Sequence, residues 1–188
     1  MKRALPVLIA VLGLFLAGCS GTADTGDGYI GGVKKITILD PAERVKAPAI
    51  TGTDLAGEPI STKDFAGQTL VMNLWGSWCA PCRAEAPVFA AVSKELEGQG
   101  VQFLGMLAQT STTNATVFND KFGITYPSMY DKAGEYQLAF ADSLPSQAVP
   151  TTWVIDGNGK VAARILDDKL DEATLRGVIE QVQKTTQR

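Results

Sequence analysis

The sequence predicts an α/β domain built on a mixed central sheet flanked by helices, and three features of the chain carry that expectation. Near-continuous apolar runs at Thr69–Trp75 and Val101–Leu107 read as strands covered on both faces, and each is followed by a segment with helical spacing. A second pair of runs, Thr151–Asp156 and Lys160–Leu166, flanks Gly157-Asn158-Gly159, which has the turn chemistry of an antiparallel hairpin. One more helical pattern follows that hairpin. Strands that alternate with helices and then close in a hairpin give a sheet of mixed direction. No internal repeat or low-complexity block breaks the pattern outside the Gly21–Gly32 stretch. The chain has 188 residues, 45% hydrophobic and 20% charged, enough for one ordinary core.

Taken in order, the chain opens with Lys2 and Arg3 before an apolar stretch from Ala4 to Ala17, the layout of a secretory signal. Its 14 residues fall short of the roughly 20 that span a bilayer, so an uncleaved anchor is the weaker reading. Leu16-Ala17-Gly18-Cys19 resembles the bacterial lipobox. That resemblance implies a lipoprotein signal peptide over residues 1–18 and lipidation of Cys19, which would hold the mature chain at the extracytoplasmic face of a bacterial cytoplasmic membrane. Residues 19–44 are then the lipidated start and a tether, since Gly21–Gly32 is rich in Gly, Thr and Asp and poor in apolar residues. The folded domain is expected over 45–188. Loss of Lys2 and Arg3 leaves 15 basic against 20 acidic residues and moves the formal charge from −3 to −5. A mildly acidic chain has no electrostatic case for nucleic acid.

Within the domain, Val45–Ser61 surrounds the turn signal Asp54-Leu55-Ala56-Gly57 and reads as a hairpin, and Thr62–Phe65 as a single helical turn. After the strand Thr69–Trp75, Pro81–Leu96 shows helical spacing through Ala84, Val88, Ala91, Val92 and Leu96, with Pro87 predicting a kink rather than a stop. Thr112–Phe122 reads as a helix with Thr112 or Thr113 near its N-cap and Gly123 ending it. Ala133–Phe140 is a short helix before the loop Asp142–Val149. Gly157 and Gly159 lie between two strands with no helix after them, so they form a turn and not a phosphate loop. Asp171–Gln183 is the closing helix, and the charged run Asp167–Glu172 is its solvated start.

The chemistry concentrates between Trp75 and Pro87, where two thiols stand three positions apart at a strand-to-helix junction. A cysteine at a helix N-terminus meets unpaired N–H groups and the positive end of the macrodipole, which stabilise its thiolate. Cys79 is therefore the expected nucleophile, and Cys82, one turn on, the resolving thiol of a redox disulfide. Zinc needs four ligands, whereas this chain has no histidine and only one further cysteine, so no metal site is expected. Covalent haem attachment needs histidine after the second cysteine, where Arg83 stands. An inert structural bridge is the remaining alternative, though a two-residue loop is strained and easily reduced. Glu85 follows Cys82 by one turn and, tucked near a thiol, would have a raised pKa suited to moving a proton; a solvent-facing glutamate is the plain alternative. Trp78 is expected beside the dithiol, limiting substrate approach, and Trp75 in the core.

Trp78-Cys79-Ala80-Pro81-Cys82 with Glu85 and Pro87 resembles the TlpA/ResA/CcmG group of membrane-associated, thioredoxin-like thiol-disulfide oxidoreductases of bacteria. The similarity runs from about Ala47 to Val182. It implies a thioredoxin-like fold in which Val45–Ser61 is an added N-terminal hairpin and Gln109–Asp131 a TlpA/ResA-type insertion. Val149-Pro150-Thr151 matches a second mark of the group, a cis proline facing the dithiol, which would turn the backbone of Val149 outward as a substrate-binding edge. An ordinary turn proline is the alternative. By the same resemblance Glu85 is the active-site acid, no cofactor is needed, and the task is reducing disulfides in exported proteins. Apocytochrome c in cytochrome c maturation is one such substrate, with a membrane thiol-disulfide electron donor regenerating the dithiol. Strongly oxidising relatives carry a histidine between the cysteines, whereas Ala80-Pro81 is uncharged, which favours a reductant or a mild oxidant. Two rivals stand beside this reading: an oxidase that introduces disulfides into secreted proteins, and a non-catalytic lipoprotein that binds exported proteins in the cis-proline groove.

Overall fold

The computed structural model describes residues 29–30, 33–131 and 133–186. The leader and Cys19 lie outside them. In chain order the strands are β1 (Tyr29–Ile30), β2 (Val33–Lys34), β3 (Ile36–Ile38), β4 (Thr51–Thr53), β5 (Pro59–Ser61), β6 (Thr69–Trp75), β7 (Val101–Ala108), β8 (Ser128–Asp131), β9 (Thr151–Ile155) and β10 (Val161–Ile165). The helices are α1 (Ala80–Glu95), α2 (Thr112–Phe122), α3 (Glu135–Leu138) and α4 (Glu172–Thr186), with a 3₁₀ turn at Thr62–Phe65. The main sheet has six strands in the order β3-β10-β9-β6-β7-β8. The strands β6, β7 and β8 are parallel, and β9, β10 and β3 continue antiparallel. This is the mixed sheet that the sequence predicts.

Every residue of β6 is buried, because its alternating side chains feed two cores. Leu70, Met72 and Leu74 pack with Met106, Met129, Phe140 and Trp153 on one face. Val71 packs on the other with Phe89 and Val92 of α1 and Leu175 and Ile179 of α4. Fully burying an aliphatic or aromatic side chain of this size is worth about 1.5–3 kcal/mol, so the second cluster holds α1 and α4 to the sheet. Asn73, a polar residue in the same strand, is satisfied by donating to Thr152 Oγ1 at 3.1 Å.

The expected hairpin is β4–β5, turned by Asp54, whose carboxylate accepts from the N–H groups of Ala56 and Glu58. The turn between β9 and β10 is likewise organised by Asp156, which accepts from Asn158 and Lys160. The helix α1 runs through Pro87 without stopping, as expected, and starts one residue earlier than its sequence pattern suggests.

Four elements depart from the sequence reading. The N-cap of α2 is Ser111, not Thr112 or Thr113: its hydroxyl accepts from Asn114 N–H at 3.2 Å, while Gly123 ends the helix at φ 69° as expected. The expected insertion Gln109–Asp131 contains, besides α2, the strand β8, which the sequence pattern did not announce because it is four residues long. The helix expected over Ala133–Phe140 shrinks to the single turn α3, started by the Asp131 carboxylate, which accepts from Glu135 and Tyr136 N–H. The closing helix runs on to Thr186.

The boundary expected at residue 45 also moves. Ile36–Ile38 is the edge strand of the main sheet, pairing with β10, so the segment assigned to the tether enters the fold before that point. Arg44 then anchors it. Its guanidinium lies 3.1 Å from Asp156 Oδ2 and donates to the Leu39 carbonyl and the Thr186 hydroxyl, with both charged side chains almost wholly buried. One residue thus ties the entering segment, the β9–β10 turn and the end of α4 together. Arg44→Leu would leave the Asp156 carboxylate buried without its cation, which costs about 3–5 kcal/mol. A clear fall in the thermal midpoint is expected; a loss under about 1 kcal/mol in denaturant titration would show that Asp156 does not depend on Arg44.

Candidate active site

The site forms where β6 ends and the chain turns into α1. Trp75 is buried, as expected of a core residue, whereas Trp78 is 52% exposed. A Cβ on Gly76 would stand 2.6 Å from Trp78 Nε1 and 3.1 Å from the Ala108 carbonyl, so only glycine lets the indole fold back over the strand end. Trp78 Nε1 donates to that carbonyl at 3.3 Å. Thr110 completes the clasp, its hydroxyl donating to the Ala108 carbonyl and accepting from Ser77 N–H, while Arg83 donates to the Ser77 carbonyl at 2.9 Å. Between Ala108 and Thr110, Gln109 takes φ 47°, a left-handed conformation uncommon for a residue with a side chain. Sequence reasoning missed Ala108, Gln109, Thr110, Ser77 and Arg83, and the only signal for them is polar residues at the end of a buried strand.

Cys79 is the N-cap of α1, and its sulfur accepts from Cys82 N–H at 3.1 Å. The two cysteines are joined, with Sγ atoms 2.06 Å and Cα atoms 5.2 Å apart, and both are buried. In the reduced form the same N–H and the helix dipole would favour a Cys79 thiolate. Pro81 sits in the first turn, where its missing N–H costs nothing.

The Val149–Pro150 bond is cis, and the Val149 carbonyl oxygen lies 3.7 Å from Cys79 Sγ. The loop before it is held by Thr151, whose hydroxyl donates to the Ala148 carbonyl at 2.7 Å. No described backbone or side-chain group accepts from Val149 N–H. An extended chain lying along this loop would find that N–H beside the dithiol.

Glu85 is not on the solvent face: it is 4% exposed, one turn beyond Cys82 on α1. Burial, with smaller contributions from Asp167 and Asp168, pushes its carboxyl up to about 8. The charged run before α4 is thus more than a solvated helix start. Asp167 and Asp168 also pair with Lys35 at 3.0 and 3.5 Å. Burial likewise raises the Tyr126 hydroxyl, with the Glu85 charge adding to it.

The structure therefore brings Cys79, Cys82, Val149 and Pro150 together, with Trp78 next to Cys79 in the chain and Glu85 buried one turn beyond Cys82. A thiol pair at a helix N-terminus can exchange a protein disulfide for a dithiol.

Known proteins resemble this chain in sequence and fold. The Redoxin family model matches residues 42–179. Thiol-disulfide oxidoreductase ResA of Bacillus cereus is 28% identical over 92% of this chain and 94% of its own length. The ResA of Bacillus thuringiensis subsp. konkukian is 31% identical over 68% of this chain and 71% of its own. Among solved structures, a DsbF homologue from Corynebacterium diphtheriae superposes with a TM-score of 0.70 at 32% identity, covering 84% of this chain and 99% of that one. A secreted thiol-disulfide isomerase from Corynebacterium glutamicum gives 0.74 at 28% identity, over 87% and 99%. The match over most of the chain, with the dithiol, the cis proline and the mixed sheet in place, means that this chain belongs to the Redoxin family, as a thioredoxin-fold thiol-disulfide oxidoreductase of the TlpA/ResA/CcmG group.

Proposed function

We propose that this chain is held by lipid on Cys19 at the extracytoplasmic face of a bacterial cytoplasmic membrane. There it reduces disulfides in exported proteins, apocytochrome c before haem attachment being one such substrate, and a membrane thiol-disulfide donor restores its dithiol. The observation that carries the reductive direction is the uncharged Ala80-Pro81 pair between the cysteines of a chain with no histidine, which leaves the helix N-terminus to favour the thiolate. The register of β3 supports the membrane donor. Ile36 is level with Ile165, Thr152 and Asn73, so the segment that leads back to Cys19 joins the sheet at the end that carries the dithiol.

The Cys79 thiolate attacks one sulfur of the substrate disulfide, forming a mixed disulfide and releasing the other sulfur as a thiolate. Cys82 loses its proton to Glu85 and attacks Cys79 Sγ. The second substrate thiolate leaves, two electrons have passed to the substrate, and Cys79–Cys82 is closed. When the donor dithiol reopens the disulfide, protonated Glu85 returns the proton to the leaving Cys82 thiolate. A carboxyl at about 8 is near a thiol in acidity, which suits transfer in both directions. Trp78, Val149 and Pro150 hold the substrate against Cys79.

Cells expressing Cys82→Ser should accumulate mixed disulfides with exported proteins in the membrane fraction, since Cys79 attacks and nothing resolves the product. Adding Cys19→Ala should move those adducts to the soluble fraction. Adducts that form with Cys79→Ser instead would reverse the order of attack, and unchanged partitioning would remove the lipid anchor.

Glu85 yields a pH test with a definite sign. Its folded pKa lies above its unfolded one, so between about pH 4.5 and 8 the unfolded chain releases a proton that the folded chain keeps, and stability falls as pH rises. The slope from this group approaches about 1.4 kcal/mol per pH unit. Glu85→Gln should abolish that fall, being more stable than wild type at pH 8 and no more stable at pH 4, while flattening the pH dependence of exchange near 8. Superimposable wild-type and variant profiles would return Glu85 to a structural role.

The reduction potential tests the direction of electron flow. Thioredoxin-type pairs lie at about −270 mV and a strong oxidase at about −120 mV, a gap of roughly 7 kcal/mol for two electrons. Equilibration with a dithiothreitol series should place this disulfide near the first value, with Cys79 and Cys82 alkylated as free thiols in cells. A value near the second, with a persistent disulfide, would make the protein an oxidase.

A further inference from the structure

At the end of the sheet opposite the dithiol, where β6 begins and β9 ends, the surface opens into a cleft of about 370 Å³. Disulfide exchange does not reach it: Leu70, which lines the cleft, precedes Trp75 by five residues, about 17 Å along the strand. The interior is apolar. Leu70 and Ile155 form its floor, and Phe65, Ala47 and Pro48, all half-buried, form its sides.

The polar groups around this interior are one-sided. Its side-chain acceptors are already occupied. The Asp156 carboxylate is taken by Arg44 and by the N–H groups of Asn158 and Lys160, and Gln68 Oε1 accepts from Gln102 at 3.0 Å. Thr62 Oγ1 accepts from Ile50 N–H and donates to the Pro48 carbonyl. The donors are free. Lys46 and Lys63 line the cleft, are exposed, and enter no ion pair among the described residues. Ala49 and Gly67 at its rim have N–H groups with no acceptor among those residues. A chain of formal charge −3 thus presents a positive, donor-rich mouth over an apolar floor.

An apolar concavity of this size with a few placed polar groups is the common form of a small-molecule site. Charge complementarity selects the occupant. A cation would be repelled by the two ammonium groups, and a neutral apolar molecule would leave them unused, whereas an anion gains charge-assisted hydrogen bonds from them. We propose that this cleft binds a small amphipathic anion, a carboxylate on an apolar tail of the fatty-acid class. The head lies at Lys46 and Lys63, and the tail covers Leu70, Ile155 and Phe65. The ligand is a single free molecule and not a bilayer surface, because Leu70 and Ile155 are only 3% and 5% exposed, too recessed for a flat surface to touch. The site is independent of the disulfide-exchange reading.

The test uses the full chain in lipid discs of zwitterionic phosphatidylcholine, with octanoate as the probe. Octanoate should raise the thermal midpoint saturably, by about 5 °C at a hundredfold excess over its Kd. Octylammonium, with the same tail, and acetate, with the head alone, should leave the midpoint where it is. Lys46→Gln combined with Lys63→Gln, both at exposed positions, should weaken octanoate binding by about tenfold or more while the ligand-free midpoint stays unchanged. Equal shifts from octanoate and octylammonium, an octanoate shift that survives the double substitution, or no shift up to the micelle concentration of octanoate would each overturn the proposal. A rise on changing the discs to anionic phosphatidylglycerol, with none from octanoate, would overturn it in favour of a membrane contact.

Discussion

Everything in this site depends on a sulfur standing where a helix cap usually has an oxygen. Serine, threonine, asparagine and aspartate are the favoured N-caps because their side-chain oxygens accept well from the first free N–H groups. In α1 that place belongs to Cys79, whose sulfur accepts from Cys82 N–H, and α2 shows the ordinary solution in Ser111. The substitution gives up a stronger cap for a reactive one. What compensates is tertiary: β6 is buried along its whole length, α1 is fixed by Phe89 and Val92 against the sheet, and the preceding turn is clasped through Ala108 and Thr110. A functional site departs from the locally favoured residue, and the scaffold carries the cost.

The legible parts of the molecule were those with a local cause. Cys79 and Cys82 at a strand-to-helix junction, Gly157-Asn158-Gly159 between two strands and Gly123 at a helix end each act within a few residues, so spacing alone announced them. Long-range partners left no such trace. Arg44 meets Asp156 across 112 positions, and nothing around Arg44 in the sequence distinguishes it from a solvated arginine in a tether. The strand β8 exists because β7 offers an edge beside it, not because Ser128-Met129-Tyr130-Asp131 has a pattern of its own. The same holds for α3, whose start is set by a carboxylate from the preceding strand.

Glu85 lies between these cases. Its spacing from Cys82 was readable, and the resemblance to the TlpA/ResA/CcmG group gave it a role, but its acidity is a property of the fold. Desolvation under the packed helix is the first cause of its raised pKa, and two aspartates more than 80 residues away in sequence add to it. Those aspartates pair with Lys35, which enters with the N-terminal segment. The acidity at the dithiol is therefore coupled to how the first strand of the sheet is seated. A like charge near a carboxyl and a counter-charge near that like charge act in opposite directions, so loosening Lys35 would strengthen the push on Glu85.

The seating of β3 has a geometric side as well. Ile36 reaches the level of Asn73 through three neighbouring strands, a lateral distance of about 14 Å at ordinary strand spacing. Lys35 and the dithiol thus occupy the same end of one sheet, while Arg44 and the β9–β10 turn close the opposite end. Had β3 run the other way, the segment leading toward Cys19 would leave from the end that Arg44 closes. Strand direction at the edge of the sheet, a feature without any chemistry of its own, decides from which end the residues before Ile36 enter the sheet.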